Sequence, residues 1–97
     1  MSKRPRHDGD TSADIEARLR AELLRLAPLR AVRGATFCPS EVARAVAPAH
    51  WRPLMPAVRA VAAGLIADGA LEATQRGVPL TCSVVAARGP IRLRAPR

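Results

Sequence analysis

Apolar positions recur with a helical period through the first two-thirds of the chain. Ile15, Leu19, Leu23 and Leu26 fall at i, i+4, i+8 and i+11, which is one face of an α-helix. The spacing predicts a first helix over residues 12–27. Thr11 or Ser12 can cap it. Asp14 and Glu16 stand in its first turn, where the helix dipole favours anions. Glu16 and Arg20 are four apart, in the favourable order for an ion pair. Pro28 opposes an easy continuation, although Leu29 and Val32 suggest another turn before Gly34.

Ala35-Thr36-Phe37 is short and β-prone. Cys38-Pro39-Ser40-Glu41 then opens a second helix that reaches Ala47. Pro39 suits its first position and Glu41 its third. Val42 and Val46 give it one apolar face, and Pro48 ends it. A third helix is predicted over residues 53–68, with an irregular first turn because of Pro56. Leu54, Val58, Val61 and Leu65 form its stripe, and Gly69 is placed to stop it in a left-handed cap.

After Gly69 the period changes. Leu71 to Gln75 reads as a strand, and Arg76-Gly77 breaks it. Gly89-Pro90 opens a second strand, Ile91 to Arg94, alternating apolar and basic residues. Val78 to Arg88 reads as a long loop carrying the apolar group Val84 to Ala87. The order is helix, short strand, helix, helix, strand, loop, strand. It predicts a mainly α fold with a small β hairpin: a winged helix-turn-helix, three helices plus a C-terminal two- or three-stranded wing. Residues 1–11 read as a disordered basic arm, ahead of a winged-helix domain over 12–97.

Composition narrows the class. A chain of 97 residues is one domain, and 48% apolar with 25% charged residues is ordinary for a globular protein. Sixteen basic residues against eight acidic give a net charge of +8. Fifteen of the sixteen are Arg, and Ala occurs twenty times, a skew that GC-rich coding DNA also produces. No run free of charge and proline is longer than Ala60 to Ala67, well short of the ~20 residues of a membrane span. Met1 to Asp10 has no apolar core, so it is not a secretory signal. Cys38 and Cys82 have no companions to form a disulfide framework. The cytoplasm is therefore the expected compartment.

Four segments carry a resemblance. They are Gly34 to Arg44, Trp51 to Arg59, Thr74 to Gly77, and Arg88 to Arg94. Together they resemble a small bacterial family of domains of unknown function, across residues 12–95. The resemblance implies a winged-helix fold. It implies no activity, cofactor or site residue.

Two readings of function compete. The first is contact with duplex DNA. In a helix-turn-helix the N-terminal residues of the second helix of the motif enter the major groove. Here that end offers His50, Trp51, Arg52, Met55 and Arg59. The wing adds Arg76, Arg88, Arg92 and Arg94. From Ala73 to Arg97 there are five Arg and no acid, an electrostatic footprint for phosphate. Arg52, Arg59, Arg76, Arg92 and Arg94 are the candidate binding residues. Ala57, Ala60, Gly64 and Ala67 leave the outer face of the third helix without hydrogen-bonding side chains, so contact with phosphate is expected rather than base readout. The second reading is a protein-interaction or adaptor module, or a homodimer, using the small-residue face Ala57/Ala60/Gly64.

Other chemistry finds little support. No nucleophile–base pair, paired carboxylates or phosphate loop is visible, so the chain is not expected to be an enzyme. Cys38, Cys82, His50 and His7 lack zinc-ligand spacing, and no metal, small-molecule cofactor or membrane contact is expected. Cys38 precedes a helix N-terminus, which can activate a thiol, but a small residue buried in the turn before the second helix is the expected reading. Two aromatics make no stacking platform for single strands. Trp51 is expected to anchor the start of the third helix.

Overall fold

The computed structural model of the chain describes residues 12–80 and 83–96. Three helices come first: α1 (Ser12–Ala31), α2 (Pro39–Val46) and α3 (Met55–Ala67). A single 3-10 turn, Arg52–Leu54, leads into α3. Three short strands follow: β1 (Glu72–Gln75), β2 (Val78–Pro79) and β3 (Arg92–Arg94). They form an antiparallel sheet in the order β2-β1-β3. The architecture is mainly α and winged-helix-like. The expected basic arm, with Lys3, Arg4 and Arg6, lies outside the described residues.

The stripe on α1 is buried as its spacing predicts: Leu19 and Leu23 fully, Leu26 nearly so. The helix runs four residues beyond its expected end at Ala27. Proline removes one N–H and so frees the carbonyl four residues back. Pro28 and Leu24 are both exposed, so water can take that bond. The helix closes instead at Gly34, whose φ is 65°. There Ala35 N–H donates to Arg30 O and Gly34 N–H to Ala31 O, both at 2.9 Å. These paired bonds are a Schellman motif, which needs a left-handed residue where glycine stands. The expected Glu16–Arg20 pair does not form; an ion pair within α1 joins Glu22 and Arg25.

The start of α2 agrees with its sequence. Cys38 is the extended N-cap residue, Pro39 opens the helix, and Glu41 accepts the Cys38 N–H at 3.1 Å. Glu41 also pairs with Arg30, tying the end of α1 to the beginning of α2.

Helix α3 has the irregular entry that Pro56 implied, and its register is rotated from the expected one. The buried line is Val58, Ala62 and Leu65, while Leu54 and Val61 are half-buried. Ala62 has no side chain beyond Cβ, so the helix lies close against the core. Pro56, Ala60, Gly64 and Ala67 face outward; Ala57 is half-buried and leaves the expected outer face. Gly69, at φ 81°, ends the helix as predicted.

The sheet has one strand more than the pattern resolved. Arg76 and Gly77 have φ of 55° and 80°. Two positive values in a two-residue loop make a type I′ turn. The chain therefore reverses at once, and Val78–Pro79 pairs with β1 where a loop was expected. The β-prone segment also finds a partner. Phe37 and Leu93 exchange both backbone bonds, at 2.8 and 2.7 Å. Their side chains sit at the centre of the core, with Leu19, Leu65, Leu71 and Ile91. Each such side chain contributes about 1.5–3 kcal/mol through burial. Val84 of the long loop is buried against the same core, while its neighbour Val85 is exposed. Among the described residues no helix is long and apolar enough to cross a membrane.

Candidate nucleic-acid interface

The site builds outward from the turn between α2 and α3. Pro48 ends α2, and the 3-10 turn carries Trp51 into a half-buried position against the core. Two guanidinium groups lie over the indole: Arg44 at 4.4 Å and Arg52 at 4.6 Å from the ring centroid. The negative face of the ring attracts cations, so one Trp orients two charges. Arg18 donates to Val46 O at 2.9 Å, placing a third cation at the C-terminus of α2 where the dipole favours it. His50 is exposed beside this group. Sequence reasoning found Arg52 and missed Arg44. No periodicity joins residues 44 and 51, because a proline-bounded turn brings them together.

Arg59 organises the wing. Its Nη1 donates to Val84 O and Ala87 O, both at 3.0 Å, and its Nη2 to Gly89 O at 2.9 Å. Gln75 Nε2 adds bonds to Arg88 O at 2.6 Å and Pro90 O at 3.2 Å. Two side chains thus hold five carbonyls between residues 84 and 90. A loop without ladder bonds still has carbonyls to satisfy, and a planar guanidinium fork serves several at once. Three of the five N–H groups of Arg59 are engaged this way. The clamp fixes Arg88 beside the turn that bears Arg76. Both side chains are exposed, with no carboxylate partner among the described residues.

Arg92 and Arg94 occupy the outer face of the sheet, opposite the buried Ile91 and Leu93, as their alternation implies. Both are engaged. Arg92 donates to Thr36 Oγ1 at 2.8 Å and to Thr36 O at 3.2 Å. Arg94 pairs with Glu72 at 3.0 Å across the strand pair. Arg92 keeps its charge uncompensated by any direct pair, whereas that of Arg94 is balanced. Nearby, the Arg30 guanidinium holds the Glu41 carboxyl below its ordinary range, and the Cys38 N–H adds to the effect.

The five predicted residues therefore divide. Arg52 stands with Arg44 on Trp51 at the entry to α3, Arg59 ties α3 to the loop of the wing, and Arg76 stands with Arg88 at the wing tip. Arg92 and Arg94 face the α1–α2 corner. The outward face of α3 between them offers no hydrogen-bonding side chain, as its sequence implies. Cys38 is half-buried, and Ser40 Oγ lies 3.1 Å from its sulfur. Cys82 and His7 lie outside the described residues. Among the described residues no group of three metal-ligating side chains comes together.

No curated protein matches the chain. The model of one family does, over residues 16–96; its description is protein of unknown function (DUF3253). The match covers most of the chain, and the chain belongs to that family.

Proposed function

We propose, on the premise of membership in this family of unknown function, that the chain is a cytoplasmic, bacterial DNA-associated module that grips the phosphate backbone of a duplex. One observation carries the reading. Arg44, Arg52, Arg76 and Arg88 stand at the start of α3 and on the wing, exposed and without a carboxylate partner among the described residues. Phosphate contacts need positioned cations and little else. The Trp51 ring positions the first two, and the Arg59–Gln75 clamp positions Arg88. Arg59 and Arg92 retain charge and flank these four, while Arg94, balanced by Glu72, adds least. The bare outer face of α3 leaves sequence preference weak.

The test is fluorescence anisotropy of a labelled random-sequence duplex across salt concentrations. Four phosphate contacts give a slope of log K against log salt of about −3 to −4. Absence of binding at low salt would refute the reading.

A further inference from the structure

Gly64 lies in the interior of α3, exposed, and a Cβ built there would meet nothing within 4 Å. Glycine is unfavourable in a helix interior relative to alanine. The folded chain supplies no packing reason for it, and without a Cβ the helix surface there is open to close approach from outside. Ala60 is exposed one turn earlier. With Ala17 of α1 across from them, these residues line a groove of about 450 Å³ between the two helices.

The solvent side of α1 extends this surface. Ala17, Ala21, Leu24, Pro28 and Ala31 are all exposed, at successive spacings of 4, 3, 4 and 3. That is the spacing by which one helix lies along another. A 20-residue helix with an apolar stripe on its buried side carries a second one on its open side.

Charge identifies the occupant. Glu16 and Arg20 line the same groove, one helical turn apart, both exposed and neither engaged by any described residue. A two-fold axis passing between them sets each opposite the other on a second copy. The same patch is then self-complementary, as a two-fold contact requires. We propose that the α1–α3 groove is a homodimer interface, in which Glu16 of each copy meets Arg20 of the other across Ala17, Ala60 and Gly64. None of the arginines assigned to phosphate lines this groove; Ala60 and Gly64 do belong to the α3 face turned towards a duplex in that reading, so the dimer is tested without DNA.

The contact is small, so dimerisation is expected in the micromolar range or weaker. Sedimentation velocity of the full chain without DNA, up to several hundred micromolar, reads it. Glu16→Arg alone and Arg20→Glu alone should each weaken association roughly tenfold or more. The double variant should restore it, because the exchanged charges still meet. Ala60→Glu should abolish it. All these positions are exposed, and circular dichroism will confirm that each variant is folded. A chain that stays monomeric throughout overturns the proposal and leaves the groove to another protein's helix. A dimer indifferent to the single charge changes, or one that the double variant fails to restore, overturns it equally.

Discussion

Arginines gather at two places in this molecule and are held differently at each. At the corner between α1, α2 and the sheet, Arg30 meets Glu41, Arg94 meets Glu72, and Arg92 bonds to Thr36. At the α3–wing edge, Arg44 and Arg52 lie on an aromatic ring, and Arg76 and Arg88 reach into solvent. The first group joins elements of secondary structure. The second has no carboxylate partner among the described residues. Net charge does not distinguish the two; the partner of each guanidinium does. Arg59 stands between them, a cation on the outer edge whose hydrogen bonds go inward.

The largest effect should come from that intermediate residue. Arg59→Ala frees three loop carbonyls and should lower unfolding free energy by about 2 kcal/mol in chemical denaturation. Amide exchange over residues 83–90 should rise more than elsewhere. Arg59→Lys should recover little, since an ammonium cannot span the same carbonyls. A fully stable Arg59→Ala variant would move Arg59 into the second group.

Next comes a paired test. Arg44→Ala with Arg52→Ala should weaken duplex binding about tenfold and reduce the salt slope by about 2, with little change in stability. Arg30→Ala with Arg94→Ala should do the reverse, lowering the melting temperature and leaving the slope near its original value. Equal effects of the two pairs on binding would dissolve the distinction.

A smaller change sharpens it within one residue. Arg76 holds a positive φ, which asparagine adopts at lower cost. Arg76→Asn should raise stability by up to about 1 kcal/mol while removing about 1 from the salt slope. Opposite signs in the two measurements identify a residue kept for its charge rather than for its turn.

Least in size is the acid response of the corner. Arg30 holds Glu41 below its ordinary value of 4.5, and Arg25 does the same for Glu22. A carboxylate with a depressed native pKa contributes stability above its unfolded value. That contribution is lost as pH falls through the native one. Stability should therefore decline below about pH 4.5, and Glu41→Gln should flatten the decline in acid titrations followed by circular dichroism.

Much of this fold is legible in short-range pattern. The caps at Cys38-Pro39 and Gly69 and the buried line of α1 follow from local stereochemistry and period. The departures have a common cause, which is that solvent or distant chain decides them. Pro28 is tolerated because it lies on the wet side of α1. The rotation of α3 depends on how closely Ala62 approaches a core built from other elements. β2 hides because the turn before it is Arg-Gly instead of the Asn-Gly that announces a hairpin. The site follows the same rule. Arg52 and Arg76 can be picked from charge and position, and Arg92 and Arg94 from alternation. The attachment of Arg59 to a loop 25–30 residues away, and of Arg44 to Trp51, cannot be read from spacing.

The reciprocal bonds of Phe37 and Leu93 should set the tempo of folding. They belong to a contact that spans 56 residues, the same separation as Thr36 and Arg92 beside it. Each helix closes its own backbone bonds over four residues, whereas this clasp must first close a long loop and lose the corresponding entropy. Docking of β3 is therefore the late event, and the Phe37 and Leu93 amides should exchange together, through the same opening of the sheet.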